Sequence, residues 1–332
     1  MNPLQRARQI ATNVATGAGR AVNQAQDAVG NAAGQVRDAV GTAAGQVRDA
    51  AAAGGRRVGQ AVDGFERGAA RGAQAVVGAF GFGNQPDRVH DGKFVGAGGQ
   101  TFSPTTPLSD IPAVTPRNNP NATQTILYVN GIQTTKDAQF NSLQAIADTT
   151  GSRVIGIHNA TEGIAADLTQ CVKDKLDKGR NPAVDTLADT LYSEIKAGRS
   201  VHLMAHSQGG LISSRALGDV YRRLRIEDGM SQQQAQQMMS RINVETFGAA
   251  ATRYPDGPNY VHYVNRGDPV PGLFGLGPIP DRWNPIADGG NGSRVHHFNE
   301  FHLNPIAAHG FESVYLNHRV PFDQARAGNF ER

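Results

Sequence analysis

The chain has 332 residues, of which 18% are charged, and its 32 Lys and Arg against 29 Asp and Glu leave a formal charge of +3. With so small an excess, and arginines alternating with aspartates, no nucleic-acid partner is expected. The single cysteine, Cys171, excludes an intramolecular disulfide and reads as a small core hydrophobe.

The basic start at Met1–Arg8 is not followed by a continuous apolar run, which argues against a secretory signal peptide. The longest apolar stretch, from Ala73 to Phe82, is about half of what crosses a bilayer. The expectation is a soluble or membrane-peripheral protein, cytoplasmic or exported by a route that needs no signal peptide.

Residues 1–80 read as an Ala- and Gly-rich amphipathic helical segment. From Arg20 onward the sequence repeats in rows of eleven, as in Asn31-Ala-Ala-Gly-Gln-Val-Arg-Asp-Ala-Val-Gly41 and Thr42-Ala-Ala-Gly-Gln-Val-Arg-Asp-Ala-Ala-Ala52. Eleven residues in three turns is about 3.67 per turn, so one apolar stripe persists along a nearly straight helix. That pattern resembles the repeats of lipid-coating proteins and suggests contact with a membrane surface or self-association. The stripe is Ala and Val, with little apolar area per turn, so an inert tether stands as the alternative. Residues 81–123, dense in Gly, Pro, Asn and Thr, read as a linker in which Lys93-Phe94-Val95 could add an edge strand.

Residues 124–332 alternate strand and helix. Strands are expected at 126–130, 154–158, 201–205, 243–247, 260–264 and 294–298, and helices at 138–148, 163–177 and 183–197. Apolar strands separated by helices predict a mostly parallel sheet flanked by helices, with its site at the carboxyl ends of the strands.

The run Val201-His-Leu-Met-Ala-His-Ser-Gln-Gly-Gly210 joins a strand to a helix through a small-x-Ser-x-Gly turn, the context of a nucleophile elbow. Ser207 is the candidate nucleophile, its alternative being an ordinary capping serine. A serine needs a base and an oriented acid. Asp268 lies just past a strand in Asn265-Arg-Gly-Asp-Pro-Val-Pro271, whereas its rivals Asp256, Asp281 and Asp288 sit in Gly/Pro loops. Among ten histidines, His309 follows the last strand and completes the order Ser, Asp, His, with His297 the second choice. His206 belongs to the elbow, which should turn its side chain away from the attacking face. His296, His297 and His302 lie near Glu300 but match no ligand spacing, so neither a metal nor another cofactor is expected.

Four pieces in order, Ala205-His-Ser-Gln-Gly-Gly210, Thr246-Phe-Gly-Ala-Ala250, Asn265 to Pro271 and Val295-His-His-Phe-Asn-Glu300 before His309, resemble the α/β-hydrolase superfamily, and within it the class 3 lipases, across about residues 124–320. The departures are Ala205 for glycine, Gln208 where leucine is common, and a first strand ending Val129-Asn-Gly-Ile132. The resemblance implies an α/β-hydrolase-like fold and cleavage of carboxylic esters by a Ser207-His309-Asp268 triad through an acyl-enzyme. An oxyanion would be bound by the backbone N–H of Gln208 and by one from the turn after the first strand, Ile132 or Gln133. The apolar loop holding Leu273, Phe274, Leu276 and Trp283 is either a lid and acyl-contact surface or packing against the sheet edge. With the repeats, a lipid ester is the favoured substrate. The competing readings are a non-catalytic hydrolase-fold binding module and a membrane or assembly protein driven by residues 1–80.

Overall fold

Side chains alternate across each pleated strand, and here that alternation divides the apolar residues of one sheet between two cores. A computed structural model describes residues 88–132, 134–160, 181–277, 287–302 and 307–331. The repeats of residues 1–80, the expected helix 163–177, Cys171, Gln133 and Trp283 lie outside the described residues, as does the side chain of Leu273.

The strands are β1 (Phe94–Val95), β2 (Thr101–Phe102), β3 (Thr125–Val129), β4 (Arg153–Ile157), β5 (Val201–His206), β6 (Ile242–Phe247), β7 (Asn259–Asn265) and β8 (Arg294–Phe298). They form a sheet in the order β2-β1-β4-β3-β5-β6-β7-β8. Strands β3 to β8 are mutually parallel, with Leu127 beside Leu203 and Ala205 beside Thr246, while β1 and β2 run antiparallel at one edge. The chain steps from β3 to β4 in one direction and then to β5 on the opposite side of β3. The sheet therefore has its switch point between β3 and β5, where a crevice opens at the carboxyl ends.

The helices are α1 (Lys136–Thr150), α2 (Pro182–Lys196), α3 (Gln208–Ile226), α4 (Gln232–Met239), α5 (Pro269–Phe274), α6 (Leu316–His318) and α7 (Phe322–Arg326). On one face Leu127, Val129, Leu203 and Val244 meet Leu187 and Leu191 of α2 and Leu217 and Val220 of α3. On the other Ile126, Tyr128, Met204 and Val261 meet Leu143 and Ile146 of α1 together with Phe311 and Val314. Each fully buried Leu, Ile or Phe contributes about 1.5–3 kcal/mol. Local signals set the helix ends: the Thr135 hydroxyl accepts from the Ala138 N–H at 3.1 Å, Pro182 opens α2, and Ser231 and Gln234 form a capping box on α4. No helix among the described residues is long and apolar enough to cross a membrane.

The domain starts earlier than the sequence suggests. Over its described part, residues 88–123, the expected linker is built into the fold. Phe94 and Val95 pair with β4, Val114 bridges to Val154, and Phe94, Val95, Ile111 and Val114 are buried. Prolines bar this stretch from helix but not from an extended path along a sheet edge.

Across the sheet, Glu245 is fully buried on β6, where it accepts Nη2 of Arg319 at 2.8 Å and faces Nε2 of His202 at 2.8 Å. Burial pushes its carboxyl up, but Arg319 and His202 more than offset this and hold it below the usual glutamate range. The pair fastens the C-terminal segment to the sheet.

Candidate active site

Ser207 joins β5 to α3 with φ 56° and ψ −124°, the single non-glycine residue with positive φ among the described residues. Such a conformation costs about 1–3 kcal/mol and persists only when its surroundings enforce it. Here the Ser207 N–H donates to the Phe247 carbonyl at 3.0 Å, and its own carbonyl accepts from Gly210 and Ala250, each at 3.0 Å. The start of α3 passes directly over the end of β3: a Cβ on Gly209 would stand 2.3 Å from the Val129 oxygen. The Ser207 side chain makes no capping hydrogen bond to its helix, so the ordinary capping role is not what the geometry displays.

The acid and base are together. Asp268, 2% exposed, follows β7 and caps α5 by accepting the Val270 N–H on Oδ1 at 2.8 Å. Its Oδ2 accepts from His309 Nδ1 at 2.6 Å and from the Tyr315 hydroxyl at 2.6 Å. With Nδ1 donating, the lone pair of His309 lies on Nε2, which is buried and has no hydrogen-bond partner among the described residues. Burial, and then the Asp268 carboxylate, push the Tyr315 phenol well above its ordinary value, so it stays a donor. Gly248, at φ 54°, leaves room for this group: a Cβ there would lie 2.8 Å from the Tyr315 hydroxyl and 2.9 Å from Asp268 Oδ2.

Asn265, fully buried at the end of β7, connects three loops. Its Nδ2 donates to the carbonyls of Glu300 at 2.8 Å and Ala308 at 3.1 Å, and its Oδ1 accepts the N–H groups of Gly267 at 3.1 Å and Glu300 at 2.9 Å.

The turn after β3 closes on the elbow, since a Cβ on Gly131 would sit 2.8 Å from Ser207 Cβ and 3.4 Å from its Oγ. The Gly131 carbonyl accepts from Asn130 Nδ2 at 2.8 Å and from the Thr134 hydroxyl at 3.1 Å. A trans peptide carries its N–H opposite its carbonyl, so these bonds also fix the direction of the Ile132 N–H. Asn130 exchanges two further bonds with the backbone of Asn159 at 2.9 Å, and Asn159 Nδ2 donates to Gln208 Oε1 at 2.8 Å. Asn130, Asn159 and Gln208 are all buried, so the side-chain amides bind the ends of β3 and β4 to the start of α3.

Other candidates fall elsewhere. His297, the second choice for the base, hydrogen-bonds through Nε2 to the carbonyls of Gly277 at 3.1 Å and Leu276 at 3.4 Å. His296 stacks on Phe330 at 4.1 Å, and Glu300 lies between His302 at 3.1 Å and His318 at 2.7 Å. Asp256 and Asp288 accept backbone N–H groups within loops. In the apolar loop, Phe274 is buried at 3% exposure and Leu276 is half-buried against the core on the α2–α3 face. His206 departs from expectation: it does not turn away, but lies tilted against the His309 ring with centroids 4.5 Å apart.

Tyr315, Asn265 and Asn130 were not among the residues expected from the sequence, and the stretch from Asn159 was expected beside the cleft with no role assigned. The Asn265 and Asn130 positions were within reach, each a polar residue ending a strand beside a glycine turn. Tyr315 reaches Asp268 only through the fold. Comparisons of the chain with protein-family models, with curated proteins and with solved structures find no match. The functional reading therefore stands on the site itself.

Proposed function

We propose that this protein is a serine hydrolase that cleaves carboxylic esters, with Ser207 as nucleophile, His309 as base and Asp268 as the acid that orients it. The observation that carries the reading is the conjunction of a positive-φ serine at a strand-to-helix elbow with an Asp268–His309 pair at 2.6 Å, both past the carboxyl ends of strands in one sheet. His309 Nε2 takes the Ser207 proton as Oγ bonds to the ester carbonyl carbon. The tetrahedral oxyanion accepts from the N–H groups of Gln208 and of the Gly131–Ile132 turn. The imidazolium then gives its proton to the departing alcohol, leaving an acyl-enzyme. Water, deprotonated by the same imidazole, adds to the acyl carbon, and collapse of the second intermediate returns Ser207 and releases the acid.

More narrowly, the motifs resemble class 3 lipases, and this chain's substrate is placed among lipid esters, with residues 1–80 as its contact with the lipid surface. The support is the motif order and the eleven-residue repeats. A panel of fatty-acyl esters and phospholipids tests the reading. The wild type should hydrolyse at least one class, and Ser207→Ala should lower its turnover about 10⁴-fold or more. Equal turnover by the two proteins would refute it.

A further inference from the structure

The base of this site sits on a short turn. Ala307–His309 form a single 3₁₀ turn, closed by the Gly310 N–H on the Ala307 carbonyl at 3.1 Å. Two side chains then reach its backbone from the sheet. Asn265 Nδ2, from the strand that leads to the acid, donates to the Ala308 carbonyl at 3.1 Å. His206 Nε2, from the strand that leads to the nucleophile, lies 3.0 Å from the His309 carbonyl. A carbonyl is only an acceptor, so His206 must donate through Nε2–H.

We propose that His206 is a positioning residue, which rests on the hydrolase reading above: it holds the His309 turn beside the elbow by donating to the base's own carbonyl. The hydrogen bond sets the distance between the nucleophile's strand and the base's turn, because His206 and Ser207 are adjacent in the chain. The rings also pack, His206 lying 4.5 Å from His309 at 34° with Phe311 behind it at 5.1 Å, a contact that a phenyl ring at 206 would keep. On its remaining edge Nδ1 points to Gly131, where a Cβ would come within 3.3 Å.

The charge state suits the role. Burial first, and then the neighbouring His309, keep the His206 imidazole well below its ordinary value, against a smaller opposing pull from the His309 carbonyl. A neutral ring does not repel the imidazolium that forms on His309 during acyl transfer. This also separates the two histidines by function: one gives its lone pair to the reaction, and the other gives its N–H to the fold. Asn265 performs the matching task from the side of the acid, though its links to Gly267 and Glu300 make it a less selective probe.

The test uses the full chain with Phe and Gln at position 206, since Phe keeps a ring but has no donor and Gln keeps an N–H in reach of the carbonyl. His206→Phe should lower kcat about tenfold to hundredfold with KM within about twofold, as a displaced catalytic group does. His206→Gln should recover most of that loss. A second readout needs no substrate: the low-field proton NMR signal of His309 Nδ1–H, bonded to Asp268, should weaken or vanish in His206→Phe and persist in His206→Gln. Wild-type kcat and an unchanged signal in a folded His206→Phe overturn the proposal, as does a folded His206→Gln no better than the Phe variant. Should the wild type show no Ser207-dependent turnover, the hydrolase reading fails, and the proton signal alone decides for or against the positioning role.

Discussion

Asp268 illustrates how a carboxylate is held to one task. Its two oxygens receive the Val270 N–H, the Tyr315 hydroxyl and His309 Nδ1, which leaves it little freedom to rotate. Removing the Tyr315 hydroxyl would strip one donor from a buried charge, a bond worth about 1.5–3 kcal/mol. Tyr315→Phe should accordingly lower kcat roughly tenfold with KM little changed, and lower the melting temperature by several degrees; steady-state kinetics on the best ester of the panel and thermal unfolding measure it. A loss confined to KM would mean that the hydroxyl contacts substrate instead. The sequence put Ser207 and Asp268 just past strands, and the structure has Ser207 at the end of β5 and Asp268 beside His309. Tyr315 was not legible there, since it ends a short π-helix, Phe311–Tyr315, and reaches Asp268 only when that helix packs beside the sheet. Nor was the packing of His206 on the base, because the reading considered the elbow without the turn that lies across it.

At the scale of elements, the site depends on where backbone can approach backbone. Gly209 permits α3 to start against the end of β3, and Gly248 opens the end of β6 to the Asp268–Tyr315 pair. The second of these separates catalysis from folding. At φ 54° an added methyl is strained, and it would meet Tyr315 and Asp268 at under 3 Å. In Gly248→Ala the expected result is a greater relative loss of kcat than of stability, seen by comparing turnover with urea unfolding. Elements with strong periodicity, such as α1, α2 and β3 to β8, were readable within a residue or two of their bounds. Strand β1 was read as a possible edge strand at Lys93-Phe94-Val95, whereas β2, also two residues long, is too short to display an alternation, and the proline-rich setting of both imitates a linker. Helix α4 is Gln-rich and offers little apolar stripe; its signal was the Ser231–Gln234 cap.

Within the sheet, the candidate site lies at the carboxyl ends of the parallel strands and the buried ion pair at β6, and the C-terminal segment meets both. The segment that contributes His309 and Tyr315 also contributes Arg319 to the buried Glu245. Stability should then depend on pH through the groups buried in a fixed protonation state. His262, fully buried between the Thr246 hydroxyl at 2.8 Å and the Gly289 carbonyl at 2.9 Å, is pushed down to about 4 by burial. Its folded value lies below its unfolded one, so the unfolded chain binds the proton first as the solution is acidified. Its share of stability is intact above about pH 6.5 and is lost as pH falls toward 4, by about 3 kcal/mol. Urea unfolding across that range should show the decline, and His262→Gln should flatten it; an equally steep decline in the variant would assign the effect to other groups.

The central claim is that Ser207 is a nucleophile activated by His309 and Asp268. Covalent labelling with a fluorophosphonate, followed by peptide mapping, tests it most directly because it does not require the natural ester to be known. The account predicts one adduct, on Ser207, formed at a rate that falls by about two orders of magnitude or more in His309→Ala. No adduct on Ser207 in the folded wild-type chain, or labelling that proceeds as fast without His309, would contradict it.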